Sequence, residues 1–170
     1  MKKQSKNKTY YGITGATGEF FVAAEISRRG AVATLTLKNT PKIDVLATNL
    51  ESGKFANIQV KTRSKDNRQG WKLASGVEEI SKIQNHFYVF VNLKEDKELP
   101  DYYIIPYNEF ARFIRAKHKR WMAMTDRNGK SHKDNTIRNF KPERANILFF
   151  KQDVVLGKKY KDNWKVLGIF

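Results

Sequence analysis

The chain has 170 residues, 40% of them apolar, which suits one globular domain with a real core and excludes an intrinsically disordered chain. Lys and Arg number 33 against 17 acids, a net charge of +16 that attracts phosphate polymers in a salt-dependent way. The absence of cysteine excludes disulfides and thiolate metal sites and fits a reducing cytoplasm, and no apolar run approaches the roughly 20 residues that span a membrane.

Residues 1–9 read as a flexible basic N-terminal arm, positive but with no apolar segment behind it. Residues 10–170 read as a single domain whose last third is basic. From Thr14 to Arg29 the pattern is helical. Phe20, Ala23, Ala24 and Ser27 follow 3, 4 and 7 spacing, Phe21 and Val22 widen the face, Thr14 or Thr17 caps the start, and Gly30 suits the end. Three strands follow: Ala31 to Leu37, Ile43 to Thr48, and Phe55 to Thr62. Asn39-Thr40-Pro41 divides the first pair, and the turn Glu51-Ser52-Gly53-Lys54 makes the second pair a hairpin.

Thr62 to Gly70 is a polar, basic loop. Gly76 to Gln84 is expected as a short helix capped by Ser75, with Val77, Ile80 and Ile83 on one face. Phe87 to Leu93 is an apolar run of strand length, as expected of a strand buried on both faces. Lys94 to Pro100 is a charged loop, and Asp101 to Pro106 is a further strand. Asn108 is placed to cap a helix carrying Phe110, Phe113, Ile114 and Trp121. Beyond it the sequence is polar and basic, with a short strand candidate at Ile147 to Phe150 and apolar anchors at Tyr160, Trp164 and Leu167. Helix, three strands, helix, two strands, helix is the order of an α/β domain, a mixed sheet with flanking helices.

Chemistry concentrates between Gly18 and Lys61. Gln59 and Lys61 stand two apart on a strand, so both point to one face, while Ile58 and Val60 point to the core. A hairpin brings Asp44 beside that face, and Glu19 on the preceding helix can close the cluster. Phosphodiester cleavage needs phosphate charge neutralised and a water made nucleophilic, and a hard divalent cation on oxygen ligands does both. Asp44 supplies carboxylate oxygen, Gln59 amide oxygen and Val60 its main-chain carbonyl. Lys61 can position the water or stabilise developing charge. Glu19 can hold a metal-bound water or a second ion.

The set Glu19, Pro41-Lys42-Ile43-Asp44 and Gln59-Val60-Lys61 resembles the PD-(D/E)XK nuclease superfamily, which includes restriction endonucleases, Holliday-junction resolvases and Mrr-type enzymes. The stretch from Gly18-Glu19 to Arg29-Gly30-Ala31 is similar to the opening helix of resolvase-like members. The resemblance covers residues 15–62, and the later strands agree with the wider core order. Two departures stand out. Lys42 and Ile43 separate Pro41 from Asp44, where the family places Asp directly after Pro. Gln59 replaces the usual Glu, as in Mrr-like members, which removes one negative charge from the metal site and gives Glu19 more weight.

The resemblance implies a restriction-endonuclease-like mixed central sheet flanked by helices. It also implies a Mg²⁺- or Mn²⁺-dependent endonuclease that hydrolyses phosphodiester bonds in DNA, with RNA as a possible substrate, acting as a homodimer to cut both strands. An inactive nuclease-like fold that only binds nucleic acid is the alternative, favoured by Gln59. Arg63, Lys65 and Arg68, in the loop after Lys61, are expected to contact phosphate. Arg112, Arg115, Lys117, Lys119 and Arg120 read as a basic helix face for a phosphate backbone. Sixteen Lys and Arg face five acids in residues 111–170, so +11 of the charge lies there. Trp71 is expected to pack against the sheet rather than stack on a base. His86, His118 and His132 are too scattered for a metal motif.

Overall fold

A computed structural model describes residues 2–37, 40–126, 128–144 and 148–170, with side chains from Gly12 onward apart from that of Leu148. The expectations that fall on Met1, Asn39 and Ile147 lie outside the described residues. Helix α1 spans Lys2–Ser27, and β1 (Val32–Leu35), β2 (Val45–Thr48) and β3 (Phe55–Arg63) follow. Then come β4 (Trp71–Ala74), a 3-10 turn (Ser75–Glu78), β5 (His86–Asn92) and β6 (Asp101–Pro106). Helix α2 (Tyr107–Met122), β7 (Ile137–Phe140) and α3 (Lys151–Tyr160) complete the order, with 3-10 turns at Leu148–Phe150 and Trp164–Leu167.

The architecture is mixed α/β. A five-stranded sheet runs in the order β1-β2-β3-β5-β6, and β4 and β7 pair as a separate ribbon. All neighbours in the large sheet are antiparallel except β3 and β5, which align Gln59 with Tyr88 and Lys61 with Phe90. A parallel pair needs a crossover, and residues 64–85, with β4 inside them, supply it. Strand β5 is buried from His86 through Val91, as its unbroken apolar run predicts.

Two cores lie on opposite faces of the sheet. On one, Val22 and Ile26 of α1 meet Ile58, Val60, Val89, Val91 and Ile104, with Trp164, Leu167 and Ile169 from the C-terminal segment. On the other, Tyr88 and Phe90 pack with Trp71, Phe110, Ile114, Phe140 and Tyr160. Trp71 is therefore a core residue, 3% exposed and edge-on to Phe90 and Tyr103.

Several local expectations are corrected. Helix α1 begins at Lys2, so backbone 2–9 is helical where an arm was expected. Neither Thr14 nor Thr17 caps it, and the Thr17 hydroxyl donates back to the Ile13 carbonyl at 2.9 Å. Its buried face is Gly18, Val22, Glu25 and Ile26, while Phe20 is 64% exposed. Only one 3-10 turn forms in the predicted 76–84 helix, and Ile80 is exposed. Asn108 caps nothing. Its amide grips Ser81, accepting from the Ser81 N–H at 2.7 Å and donating to the Ser81 carbonyl at 3.1 Å. Residues 148–150 form a 3-10 turn instead of a strand.

Lys117 belongs to the buried face of α2 with Phe110, Ala111 and Ile114, not to a basic surface. Its ammonium donates to Asp153 and to the Asn139 carbonyl, both at 2.6 Å, and Asp153 also accepts from the Lys141 amide at 2.7 Å. The pair fastens α2, β7 and α3 together. Burial pushes Asp153 up and Lys117 down, and their mutual attraction opposes both shifts. Loss of either partner would strand a buried charge.

Gly18 sets the height of α1 over the sheet. A Cβ built there would lie 1.8 Å from Thr62 Oγ1, so only glycine permits this approach to β3. Gly15, one turn earlier, has open space around it. Gly18→Ala is expected to lower stability by about 1–3 kcal/mol through overpacking. Gly15→Ala should gain up to about 1 kcal/mol from helix propensity alone. Urea denaturation of both variants measures the contrast.

Candidate functional site

Strand β3 builds the site by alternation. Ala56, Ile58 and Val60 are buried under α1, which leaves Gln59 and Lys61 on the opposite face. Asp44 immediately precedes β2. Its amide donates to the Ile58 carbonyl at 2.8 Å, and the Val60 amide donates to its Oδ2 at 2.7 Å. Asp44 is thus held by both backbone and side chain against β3. Within a strand, a residue's N–H and C=O point to the same edge. The Val60 carbonyl is therefore directed to the edge where Asp44 sits, just before β2 begins.

Lys61 is half-buried. Desolvation holds its ammonium below the usual lysine value, and the negative charges of Asp44 and Glu19 partly offset that. Asp44 and Glu19 therefore both lie within electrostatic range of Lys61. Glu19 follows Gly18, the point where α1 touches β3 at Thr62. Gln59 and Lys61 also line an open pocket of about 400 Å³ with Lys42, Lys72, Glu79 and Tyr88. Among the described residues, no three His, Asp or Glu side chains gather in a way that would hold a metal ion. The available donors are two carboxylates, an amide and a main-chain carbonyl.

The turn between Pro41 and Asp44 is braced from below. Lys42 adopts φ 64°, a left-handed conformation uncommon outside glycine. The His86 Nε2–H donates to the Lys42 carbonyl at 2.8 Å, and its Nδ1 accepts from the Ser81 hydroxyl at 2.8 Å. A carbonyl can only accept, so the Nε2–H tautomer is fixed. The ring stacks on Tyr107 at 4.1 Å, and Tyr107 on Tyr88 at 4.5 Å. Asn108, Ser81 and His86 thus form a brace under the turn that delivers Asp44. Periodicity and motif spacing do not reveal this brace; the sequence reads His86 only as a satisfied or partly exposed histidine bordering a buried strand, and the structure shows it buried and satisfied at both ring nitrogens.

The predicted phosphate contacts divide. Arg63 is committed to the fold: it donates to Asn92 and to Glu143, each at 2.7 Å, and lies 4.2 Å over the Trp71 ring. The Trp71 indole N–H donates to the Lys61 carbonyl at 2.8 Å, which ties this group to the site strand. Lys65 pairs with Glu95 at 2.7 Å, on the surface. Arg68 lies in the loop beyond and lines two pockets. On α2, Arg115 donates to the Glu78 carbonyl and Arg120 to Gln152 at 2.9 Å, while Arg112 and Lys119 are exposed.

No protein-family model matches the chain, and no curated protein matches it. Among solved structures, it is similar to the bacterial homing endonuclease I-Ssp6803I, at 12% identity over 92% of this chain and 91% of that one, with a TM-score of 0.49. Likeness this faint carries nothing over to the present chain.

His86 gives the site a pH signature. Burial lowers its pKa in the folded state, so near pH 6 the unfolded chain binds more protons than the native one. Its contribution is intact above the unfolded value of about 6.5 and is lost as pH falls from there through the lowered folded value. Stability should fall between about pH 7 and 5. His86→Gln keeps a donor for Lys42 and should flatten that part of the profile. Urea midpoints measured across the range check this.

Proposed function

We propose that the chain is a metal-dependent endonuclease that hydrolyses phosphodiester bonds in DNA, on a restriction-endonuclease-like core of the PD-(D/E)XK type with Gln at the second acidic position. One observation carries the reading: Asp44, fixed by the Val60 amide, stands at the edge of β3 beside the face that presents Gln59 and the half-buried Lys61. Asp44, Gln59, the Val60 carbonyl and Glu19 offer hard oxygen donors, which suit Mg²⁺ or Mn²⁺. Such an ion, when bound, neutralises phosphate charge and makes its water more acidic.

The chain's own residues do the rest. Asp44 is prepositioned, so little ordering is needed when a ligand arrives. Lys61 holds the attacking water or a non-bridging phosphate oxygen, and its desolvated ammonium gives that contact more strength than it would have in water. Gln59 supplies oxygen without charge, which weakens cation binding relative to a carboxylate. A homodimer that cuts both strands belongs to the same reading. A second reading, binding without cutting, is favoured specifically by Gln59, which offers the ion an uncharged oxygen in place of a carboxylate.

The test is incubation with supercoiled, linear and branched DNA and with RNA, in Mg²⁺ or Mn²⁺. The nuclease reading expects cutting by the wild type and a loss of about 100-fold or more in Asp44→Ala and Lys61→Ala. Gln59→Glu should cut at lower metal concentration. Salt-sensitive binding by all variants, with no cutting by any, establishes the second reading instead.

A further inference from the structure

We infer that a nucleic-acid duplex lies across the β4–β7 ribbon and the turn before it, held at its backbone by Arg68, Lys72, Lys141 and Arg144. This surface approaches Lys61 from the side of β4 and is distinct from the exposed face of α2. It identifies how the partner of the proposed site is gripped, and it stands whether or not the bound strand is cut.

Three adjoining concavities form the track. The first, of about 400 Å³, has Lys61 and Lys72 in its wall. The second, of about 830 Å³, shares those two lysines and adds Arg68. The third, of about 370 Å³, shares Arg68 and Gly70 and adds Lys141 and Arg144. The shared walls make the surface continuous from Lys61 to Arg144.

Five acids stand in its walls; three are spent on other cations, while Asp66 and Glu98 enter no salt bridge among the described residues. Glu79 pairs with Lys42, Glu95 with Lys65, and Glu143 with Arg63. Among the described residues, Arg68, Lys72, Lys141 and Arg144 enter no salt bridge. They crowd one another instead: burial and the charges of Arg144, Lys72 and Arg63 disfavour the Lys141 ammonium, and Asp153 only partly offsets them. A group of like charges that outnumbers its neighbouring acids and enters no salt bridge favours binding a polyanion, which releases condensed cations from the nucleic acid.

The backbone holds these cations in place. Lys72 stands opposite Asn139 in the β4–β7 ladder, and Trp71 opposite Phe140, immediately before Lys141. Gly70 has φ 78°, and a Cβ there would lie 2.4 Å from Lys141 Cγ. The Lys141 stem therefore lies against the bare Gly70 backbone. The partner is a duplex because the track offers no platform for bases. The aromatics in its walls, Trp71, Tyr88 and Tyr107, are each at most 3% exposed. Single-strand binders stack bases on exposed aromatics, whereas backbone tracking needs only placed cations.

The experiment is fluorescence anisotropy with a labelled duplex of roughly 20 base pairs and its single strand, from about 50 to 200 mM NaCl. EDTA is present, so cutting plays no part in the result. Lys72→Ala/Lys141→Ala/Arg144→Ala is compared with Arg112→Ala/Lys119→Ala/Arg120→Ala, both with circular dichroism as a check on folding. The first triple should lose duplex affinity by about tenfold or more, and its log–log salt slope should flatten by about 2 to 3. The second should stay within about twofold of the wild type, since it leaves the track intact. Equal losses in both triples, a larger loss in the second, or tighter binding of the single strand would each overturn the inference. Should the first triple fail to fold, Lys72→Gln and Arg144→Gln singly decide it: each should lower affinity and flatten the slope by about 1, and no change would overturn it.

Discussion

Alternation along β3 is the constraint on which the rest of the molecule depends. Its even-numbered residues from Ala56 to Val60 are sealed under α1, so Gln59 and Lys61 must face the other way. One strand thus closes a core on one face and presents a polar pair on the other. A slip of one residue in register would exchange the two sets and lose both. The hydrogen bond from the Val60 amide to Asp44 fixes β3 against the start of β2 and places a carboxylate at the strand's edge. Parallel pairing with β5 then anchors β3 in the middle of the sheet.

Charge in this chain does two jobs. Some of it is structural. Arg63 is held by Asn92, Glu143 and the Trp71 ring, and Lys117 is buried against Asp153. Those cations are fully engaged and have little to offer a ligand. The remainder is on the surface, and its distribution differs from the sequence count. The excess after residue 111 does not become one uniform basic helix face, because Arg115, Arg120 and Lys117 turn to Glu78, Gln152 and Asp153 while Arg112 and Lys119 stay exposed. Charges far apart in sequence, Arg68 and Lys72 on one side and Lys141 and Arg144 on the other, are brought together by the β4–β7 ribbon.

What the sequence reveals depends on the range of the interaction. Strands β2, β3, β5 and β6 were legible because alternation or an unbroken apolar run marks each one, and the hairpin turn is spelled by Ser52-Gly53. The Gln59–Lys61 face follows from a period of two. The phase of α1 was not legible: Phe20 and Val22 head competing apolar stripes, and the choice is made by Gly18, whose missing side chain lets that face touch Thr62. Strand β4 was missed because its partner β7 lies more than sixty residues on, in a polar stretch without its own signal. The His86 brace was hidden for the same reason, since Lys42, Ser81 and Asn108 meet only in the fold. Lys117 misled because a buried lysine breaks the apolar pattern of its own helix face.

The central claim is that the edge of β3 beside Asp44 is where a divalent cation sits. Mn²⁺ titrated into ¹⁵N-labelled protein tests it most directly, because the paramagnetic ion broadens the amide signals nearest to it whether or not any substrate is cut. The account predicts losses centred on Asp44, Val45, Val60 and Lys61, with Glu19 next, and their disappearance in Asp44→Ala. Broadening centred on surface acids such as Glu95 and Asp96, or none at the Asp44 edge, would contradict it.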